Sequence, residues 1–542
     1  MSHPSSAHVD TFCRDQLPPR HLWPELRLEE AGLHYPDRLN CAVELLDEVS
    51  RRLGPDRVCL LAPGGQQWSY GELSTLSNQI AQVLIEDYGI VPGNRILLRG
   101  PNNPWTVACW FAVMKAGAIA VSTMPMLRAV ELTKIAEVAK VDLSLCDARF
   151  TDELVAAAIP GLRVVPFGAD TALTTAATTK ADRFTPVDTA ADDVALLAFT
   201  SGTTGRAKAT MHFHRDLLAI ADTFSAHVLK PAATDVFTGT PPIAFTFGLG
   251  GLVVFPLRVG AATLLLEKAT PDELADHIAE HGVTVCFTAP TAYRAMVSSG
   301  NAHKLGTLRR AVSAGEHLAV STWRAVFDAT GVRLIDGIGS TEMLHIFISS
   351  SDNDIQPGST GRAVPGYVAA VLDDQGRPVS PGTPGRLAVK GPTGCRYLAD
   401  DRQGEYVRDG WNITGDTFVQ DADGYFWYQA RSDDMIVSSG YNIAGPEVEE
   451  ALLQHPDVIE CGVTGTADAD RGQLVTAFVV LRDGVVGDTE MITALQDYIK
   501  ETIAPYKYPR RVVFVDSLPK TATGKLQRFR LKELAPNSSA GV

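Results

Sequence analysis

The chain has 542 residues, 45% hydrophobic and 20% charged, a soluble globular composition on a length that calls for more than one hydrophobic core. Its formal net charge of −15 argues against a general nucleic-acid binder, which presents a basic surface. An acidic chain that handles anionic ligands must gather lysines, arginines, backbone N–H groups and metal ions at one place.

From the N-terminus, MSHPSSAHVDTFCRDQ lacks the apolar core of a secretory signal. The longest apolar run, near LGGLVVFPL, is far short of a membrane span. A cytoplasmic protein without membrane association is expected. RILLRG predicts a short buried strand, and PWTVACWFAVMKAGAIAV a helix closed by glycine and then a strand. HFHRDLLAIADTF predicts a helix, DELADHIAEHG an amphipathic helix ended by glycine, and VTVCFTA a strand behind it. Such alternation predicts an α/β fold with layered, mostly parallel sheets in a large N-terminal domain.

The texture changes near residue 360. YVAAVLDDQGRPVSPGTPGRLAVKG and DTFVQDADGYFWYQAR each predict strand, turn, strand, giving a small β-rich subdomain over about 360–432. The D-A-D-G within the second lacks the remaining ligand positions of a calcium loop and is read as a tight turn. Beyond it, Gly445 and Pro446 open a helix with Glu447, Glu449 and Glu450 near its start, where the dipole favours acid. Strands ECGVTGTA and LVTAFVVL, helix EMITALQDYIKETI and strand RVVFVD complete a small, mobile α+β C-terminal domain. The expected division is 1–432 and 433–542, with Asp433 as hinge. Eight cysteines are scattered singly with no C-x-x-C pair, which disfavours a zinc ribbon or dithiol site and fits a reducing compartment.

The stretch FTSGTTGRAKAT, Phe199 to Thr210, sets hydroxyls and glycines against one lysine. It is not a Walker loop, because Ala207 and Ala209 stand where glycine and serine or threonine are required. A hydroxyl-rich turn can still hold phosphate through side-chain O–H and backbone N–H groups, with Lys208 adding charge. Taken alone, a surface loop rich in turn residues explains the stretch equally well. Four further stretches break the tie: DGIGSTEMLH, WNITGDTF, YQARSDDMI and LPKTATGKLQR. In this order and spacing the five resemble the acyl-adenylate-forming superfamily of acyl-CoA synthetases, peptide-synthetase adenylation domains and beetle luciferases, over nearly the whole chain.

The resemblance implies roles residue by residue. Thr200, Ser201, Gly202, Thr203, Thr204 and Lys208 match the triphosphate loop. Glu342 matches the magnesium ligand, and Thr341 beside it contacts phosphate. Gly315, Glu316, His317, Asp336 and Gly337 match the adenine lining, and Asp416 with Arg431 the ribose site. Lys525 matches the adenylation lysine, and Ser439 and Gly440 the thiol-facing side of the mobile domain. The implied substrates and ion are ATP, coenzyme A and Mg2+, with no tightly bound organic cofactor. This chain departs from the pattern in A-K-A for P-K-G, Ile338 for tyrosine and Ala430 for glycine. None of these removes a charged group. Because the substrate carboxylate is itself the nucleophile, no Ser-His-Asp or Cys-His set is required.

Phe224, Phe245, Gly339 and His345 are the expected acid pocket, since aromatic and small residues suit a flat ring. The opening SAHVDTFCRDQLPPRHLWPEL and YPDRLNCAVELLDE resemble 2-aminobenzoate–CoA ligases. An aryl acid–CoA ligase acting on 2-aminobenzoate is therefore expected, with benzoate or salicylate as alternatives and a carrier protein as an alternative thiol acceptor. A homodimer is left open. His212 and His214, spaced H-x-H, lack a third metal ligand and are read as structural.

Overall fold

The computed structural model describes residues 6–200, 207–431, 434–438, 441–468, 471–503, 505–520 and 526–534. Four sheets organise these residues. The first has six strands, in the order Arg163–Phe167, Leu143–Asp147, Arg95–Arg99, Ile119–Thr123, Val194–Thr200 and Lys208–Phe213. All neighbours are parallel except the last pair. RILLRG is buried along its length, arginines included. Arg99 is tolerated there because it donates to the carbonyls of Met124, Pro125, Leu127 and Phe150 at 2.7–3.1 Å.

The second sheet has nine strands, and its inner six are parallel: Leu334–Gly339, Arg310–Ala314, Val285–Thr288, Val236–Gly239, Ala262–Leu264 and Val58–Ala62. Helix Pro104–Lys115 is apolar all round and buried on every side, as its sequence requires. Asn103 caps it, accepting from the Thr106 N–H at 2.9 Å, and Pro104 occupies the first turn. The helix predicted at DELADHIAEHG runs Pro271–Glu280 behind a Thr270–Glu273 capping box.

The third sheet is antiparallel and comprises Val368–Leu372, Pro384–Lys390, Trp411–Gln420, Val407–Arg408 and Phe426–Arg431. Its D-A-D-G segment is a turn. The Asp421 carboxylate accepts from the N–H groups of Asp423 and Tyr425 and from the Trp427 indole at 2.8–3.0 Å, and Gly424 takes φ +84°. In the fourth sheet Val458–Asp468 and Gly472–Leu481 form a long hairpin, with Arg511–Phe514 parallel to the second strand. Helices Gly445–Leu452 and Thr489–Thr502 belong to this smaller α+β unit. The molecule is thus a large α/β part followed by a small α+β part. Among the described residues no helix is long and apolar enough to cross a membrane. All eight cysteines are buried free thiols, and burial pushes Cys146 and Cys286 up to about 12, which leaves them poor nucleophiles.

A buried ion pair ties the segment after strand Pro384–Lys390 to helix His214–Ile220, which follows the first sheet. Arg396 Nη2 bonds the Asp216 carboxylate, and its guanidinium lies 3.9 Å above the Phe213 ring. Both residues are fully buried. Burial works against the Asp216 charge, but Arg396 and His212 hold its carboxyl below the usual range. Arg396→Met should strand that carboxylate and destabilise the protein by about 3–5 kcal/mol. Urea unfolding checks this, and a midpoint equal to the parent's would refute it.

Candidate active site

Strand Lys208–Phe213 ends the first sheet and carries two polar groups toward the loop that leaves strand Leu334–Gly339. His212, fully buried, pairs through Nε2 with the Thr341 carbonyl at 2.8 Å. Since a carbonyl only accepts, Nε2 carries the proton. His212 Nδ1 lies 3.8 Å from Asp216. At the strand's other end, Lys208 Nζ donates to the Tyr397 hydroxyl at 3.0 Å and stands 3.8 Å from Glu342 Oε1. The Tyr397 hydroxyl donates in turn to Glu342 Oε1 at 2.5 Å. Burial, and then the Glu342 charge, push the Tyr397 hydroxyl far above the ordinary phenol range, so it remains a donor. The Tyr406 ring packs edge-on against Tyr397 at 5.8 Å, and its hydroxyl meets Ser340 Oγ at 3.2 Å.

The Tyr397 segment is held against the same strand by its backbone. Met211 N–H donates to the Arg396 carbonyl at 2.8 Å and Leu398 N–H to the Ala209 carbonyl at 2.9 Å. Gln403 accepts from the Tyr397 N–H at 2.8 Å. Thr341 and Glu342 are thus fixed from two sides.

A second group of residues lies at the strand ends of the large sheet. Asp336 and Gly337 pair in register with Ser313 and Ala314. Asp336 keeps some exposed surface, yet burial raises its carboxyl to about 7, with His317 and the Gly337 N–H pulling the other way. Gly315 takes φ +91°, the left-handed turn that lets Glu316 and His317 leave the strand. The His317 ring stacks on Tyr428 with centroids 5.4 Å apart, and its Nε2 stands 4.0 Å from Glu450. Glu450 also accepts from the Val320 N–H at 3.1 Å, so helix Gly445–Leu452 touches this segment. Asp416 and Arg431 pair across adjacent strands, Arg431 Nη1 donating at 3.3 Å. Gly415, at φ +78°, leaves room for that guanidinium, since a Cβ there would stand 3.3 Å from Nη2.

A third group is apolar. His345 is buried among Phe224, Phe247, Phe255 and Phe287, with ring centroids at 5.3, 5.7, 4.6 and 6.4 Å. Neither of its ring nitrogens has a hydrogen bond of good geometry among the described residues. Burial lowers its pKa to about 3, so the imidazole is neutral at ordinary pH. Gly250 admits it closely, because a Cβ there would lie 2.4 Å from His345 Cδ2.

Two family models divide the chain between them: AMP-binding enzyme over residues 47–397 and AMP-binding enzyme C-terminal domain over 447–525. Benzoate–CoA ligase of Thauera aromatica is 32% identical over 92% of this chain and 97% of that protein. A 3-hydroxybenzoate–CoA ligase of Aromatoleum sp. (strain CIB) is 32% identical over 87% and 92%. The crystal structure of the anthranilate CoA ligase AuaEII in complex with anthranoyl-AMP superposes with a TM-score of 0.87 at 32% identity, covering 92% and 98%.

The chain belongs to the AMP-binding enzyme family. It is an enzyme of the acid–thiol ligase class.

Within that family frame, the expected site residues fall into those brought together and those not described. Lys208, Thr341 and Glu342 converge, as do Asp336 with His317, Asp416 with Arg431, and Phe224 with His345. Gly339 sits against the His345 carbonyl, 2.6 Å from where its Cβ would be. Phe245 is half-buried at the start of helix Thr246–Leu249, while Phe247 makes the ring contact to His345. Of Thr200 only the strand backbone is described. Ser201, Gly202, Thr203, Thr204, Asp433, Ser439, Gly440 and Lys525 lie outside the described residues. Sequence reasoning missed Tyr397, Phe255 and Phe287. Tyr397 lies 55 positions from Glu342, and its only local signal is a tyrosine after the buried Arg396.

The donor set suits a hard divalent cation. Glu342 Oε1 is engaged by Tyr397, whereas Oε2 accepts no hydrogen bond among the described residues. A carboxylate oxygen left open beside a lysine is the kind of ligand Mg2+ takes.

Tyr397→Phe removes a hydrogen bond to a charged group, worth about 1.5–3 kcal/mol. It should cut kcat/KM for acid-dependent pyrophosphate release roughly 10- to 150-fold with little change in thermal midpoint; unchanged kinetics would show that the hydroxyl does not position Glu342. Asp336 gives a pH prediction. An ordinary aspartate ionises near 3.8 and this one at about 7, so its contribution to stability is complete below 3.8 and is lost as pH rises through about 7. Asp336→Asn should flatten the fall in urea midpoint between those pH values, and an unaltered slope would contradict the assignment.

Proposed function

We propose that this protein is an AMP-forming aryl acid–CoA ligase whose preferred acid is 2-aminobenzoate. The carrying observation is the Lys208–Tyr397–Glu342 cluster together with a buried group of phenylalanine rings around a neutral His345. Relatives named for benzoate, 3-hydroxybenzoate and anthranilate support an aryl acid.

In the first half-reaction a carboxylate oxygen of the acid attacks the α-phosphorus of ATP. The P–O bond to pyrophosphate breaks, leaving an acyl–AMP anhydride. One anion approaches another, a repulsion on the order of several kcal/mol at contact in a protein-like dielectric. Lys208 draws the outer phosphates, and Thr341 and Glu342 frame the α-phosphate. A magnesium ion on Glu342 would neutralise charge on the phosphate oxygens. Lys525 supplies the remaining positive charge from the C-terminal domain. Asp336 and His317 border the adenine, and Asp416 with Arg431 the ribose. In the second half-reaction the CoA thiolate attacks the acyl carbon, the C–O bond to AMP breaks and a thioester forms.

The adenylation lysine and the incoming thiol need the same space in this scheme, so a rotation at Asp433, between a domain of 1–432 and one of 433–542, would exchange Lys525 for Ser439 and Gly440 between the two half-reactions. Relatives named as CoA ligases support free CoA over a carrier protein as the thiol acceptor. A cytoplasmic location agrees with buried reduced cysteines.

The ring cage has aromatic faces and an uncharged imidazole whose ring nitrogens make no hydrogen bond of good geometry among the described residues, which suits a flat ring bearing one polar substituent. A panel of substituted benzoates, scored for pyrophosphate release and for CoA thioester, tests this. We expect 2-aminobenzoate to give the highest kcat/KM, by about 1–3 kcal/mol over benzoate. A higher value for benzoate or salicylate would overturn the acid, and no release with any aryl acid would overturn the class. Lys525→Ala should abolish adenylation while leaving thioester formation from supplied acyl–AMP largely intact, and equal loss of both steps would refute the two-face scheme.

A further inference from the structure

Helix Pro271–Glu280 ends in a cluster unconnected with the chemistry above. His277, Glu280 and His281 follow the spacing i, i+3, i+4, which places all three side chains on one edge of the last turn. His277 Nδ1 and His281 Nε2 each stand 3.9 Å from the same oxygen, Glu280 Oε2, and all three ligand atoms lie within 4.8 Å of one another. The imidazole rings are 5.8 Å apart.

Three observations distinguish this cluster from ordinary surface polarity. His277 Nδ1 is shielded from solvent and hydrogen-bonds to nothing among the described residues. Glu280 meets no lysine or arginine among them, while the neighbouring Lys304 is already paired with Asp276. The cluster also sits at the helix C-terminus, where the last carbonyls favour a cation.

We propose that His277, Glu280 and His281 form a binding site for a divalent transition metal such as Zn2+. Two imidazoles and one carboxylate are borderline ligands that suit Zn2+, Ni2+ or Cu2+ over Mg2+ or Ca2+. Ligand atoms about 2.0–2.2 Å from zinc lie roughly 3.4 Å apart in a tetrahedron. Closing from 3.9 Å therefore needs only small side-chain rotations about a fixed helical backbone. Water completes the coordination. Gly282 at φ +59° turns the chain directly after the site, and strand Val285–Thr288, which carries Phe287 of the ring cage, follows.

The test uses the full untagged chain, stripped with chelator and titrated with Zn2+ alone by calorimetry, with Co2+ as a spectroscopic probe. The expected result is one equivalent bound at this site, with visible Co2+ bands of imidazole–carboxylate ligation. His277→Gln and His281→Gln should each weaken it by at least about tenfold, which is 1.4 kcal/mol, with pyrophosphate release unchanged. Zn2+ binding that is undiminished in both variants, or no binding by the parent up to about 100 µM, would overturn the proposal. Neither outcome bears on the ligase reading, because no residue of that site is altered.

Discussion

The site depends on strand Lys208–Phe213 being held between two other pieces of chain. On one side His212 takes the Thr341 carbonyl at 2.8 Å; on the other, the backbone of Met211 and Ala209 pairs with Arg396 and Leu398. Those contacts join the six-stranded sheet, the loop leaving the nine-stranded sheet and the segment between strands of the antiparallel sheet. The buried Arg396–Asp216 pair lies at the junction and sets how the pieces meet. A charge pair sealed from water is costly unless its geometry is good, so it tolerates few arrangements of the sheets around it.

That junction lets an acidic protein manage anions. With a net charge of −15, the chain cannot attract triphosphate by its general field. Instead Lys208 is brought to 3.8 Å from Glu342, with the Tyr397 hydroxyl bonded to both. The arrangement places one cation and one metal-capable carboxylate a fixed distance apart, and the tyrosine prevents their collapse into a simple ion pair. Fixed charges and dipoles of this kind do not need to reorganise as phosphate charge develops.

The apolar end follows the opposite logic. His345 is surrounded by phenylalanine rings and burial keeps it uncharged, so this buried cluster holds an imidazole without a counter-charge. Close approach of Gly250 to the imidazole and of Gly251 to Phe287 packs the cage tightly, and added side chains there would collide with those rings. Between the two ends, Glu450 reaches from the C-terminal unit to His317 and Val320, giving that unit a direct contact with the nucleotide-lining segment.

The sequence by itself determined the elements and their order. Period-two and period-3.6 patterns, glycine stops and capping residues are local, so helix Pro271–Glu280, the Gly424 turn and the hairpin Val458–Leu481 were legible without coordinates. That Lys208 and Glu342, and Asp416 and Arg431, would come together was expected from the motifs as well, because each sits in a short stretch of distinctive residue types. Tertiary structure alone decided which residues support them. Tyr397, Phe255 and Phe287 carry no local signal of function, and an aromatic residue in an apolar stretch looks the same whether it packs a core or lines a pocket. Only the folded chain brings Tyr397 to Glu342 across 55 positions, sets Phe247 in place of Phe245 against His345, and shifts a half-buried aspartate to about 7. Those properties arise from distance and desolvation, which depend on neighbours far away in sequence.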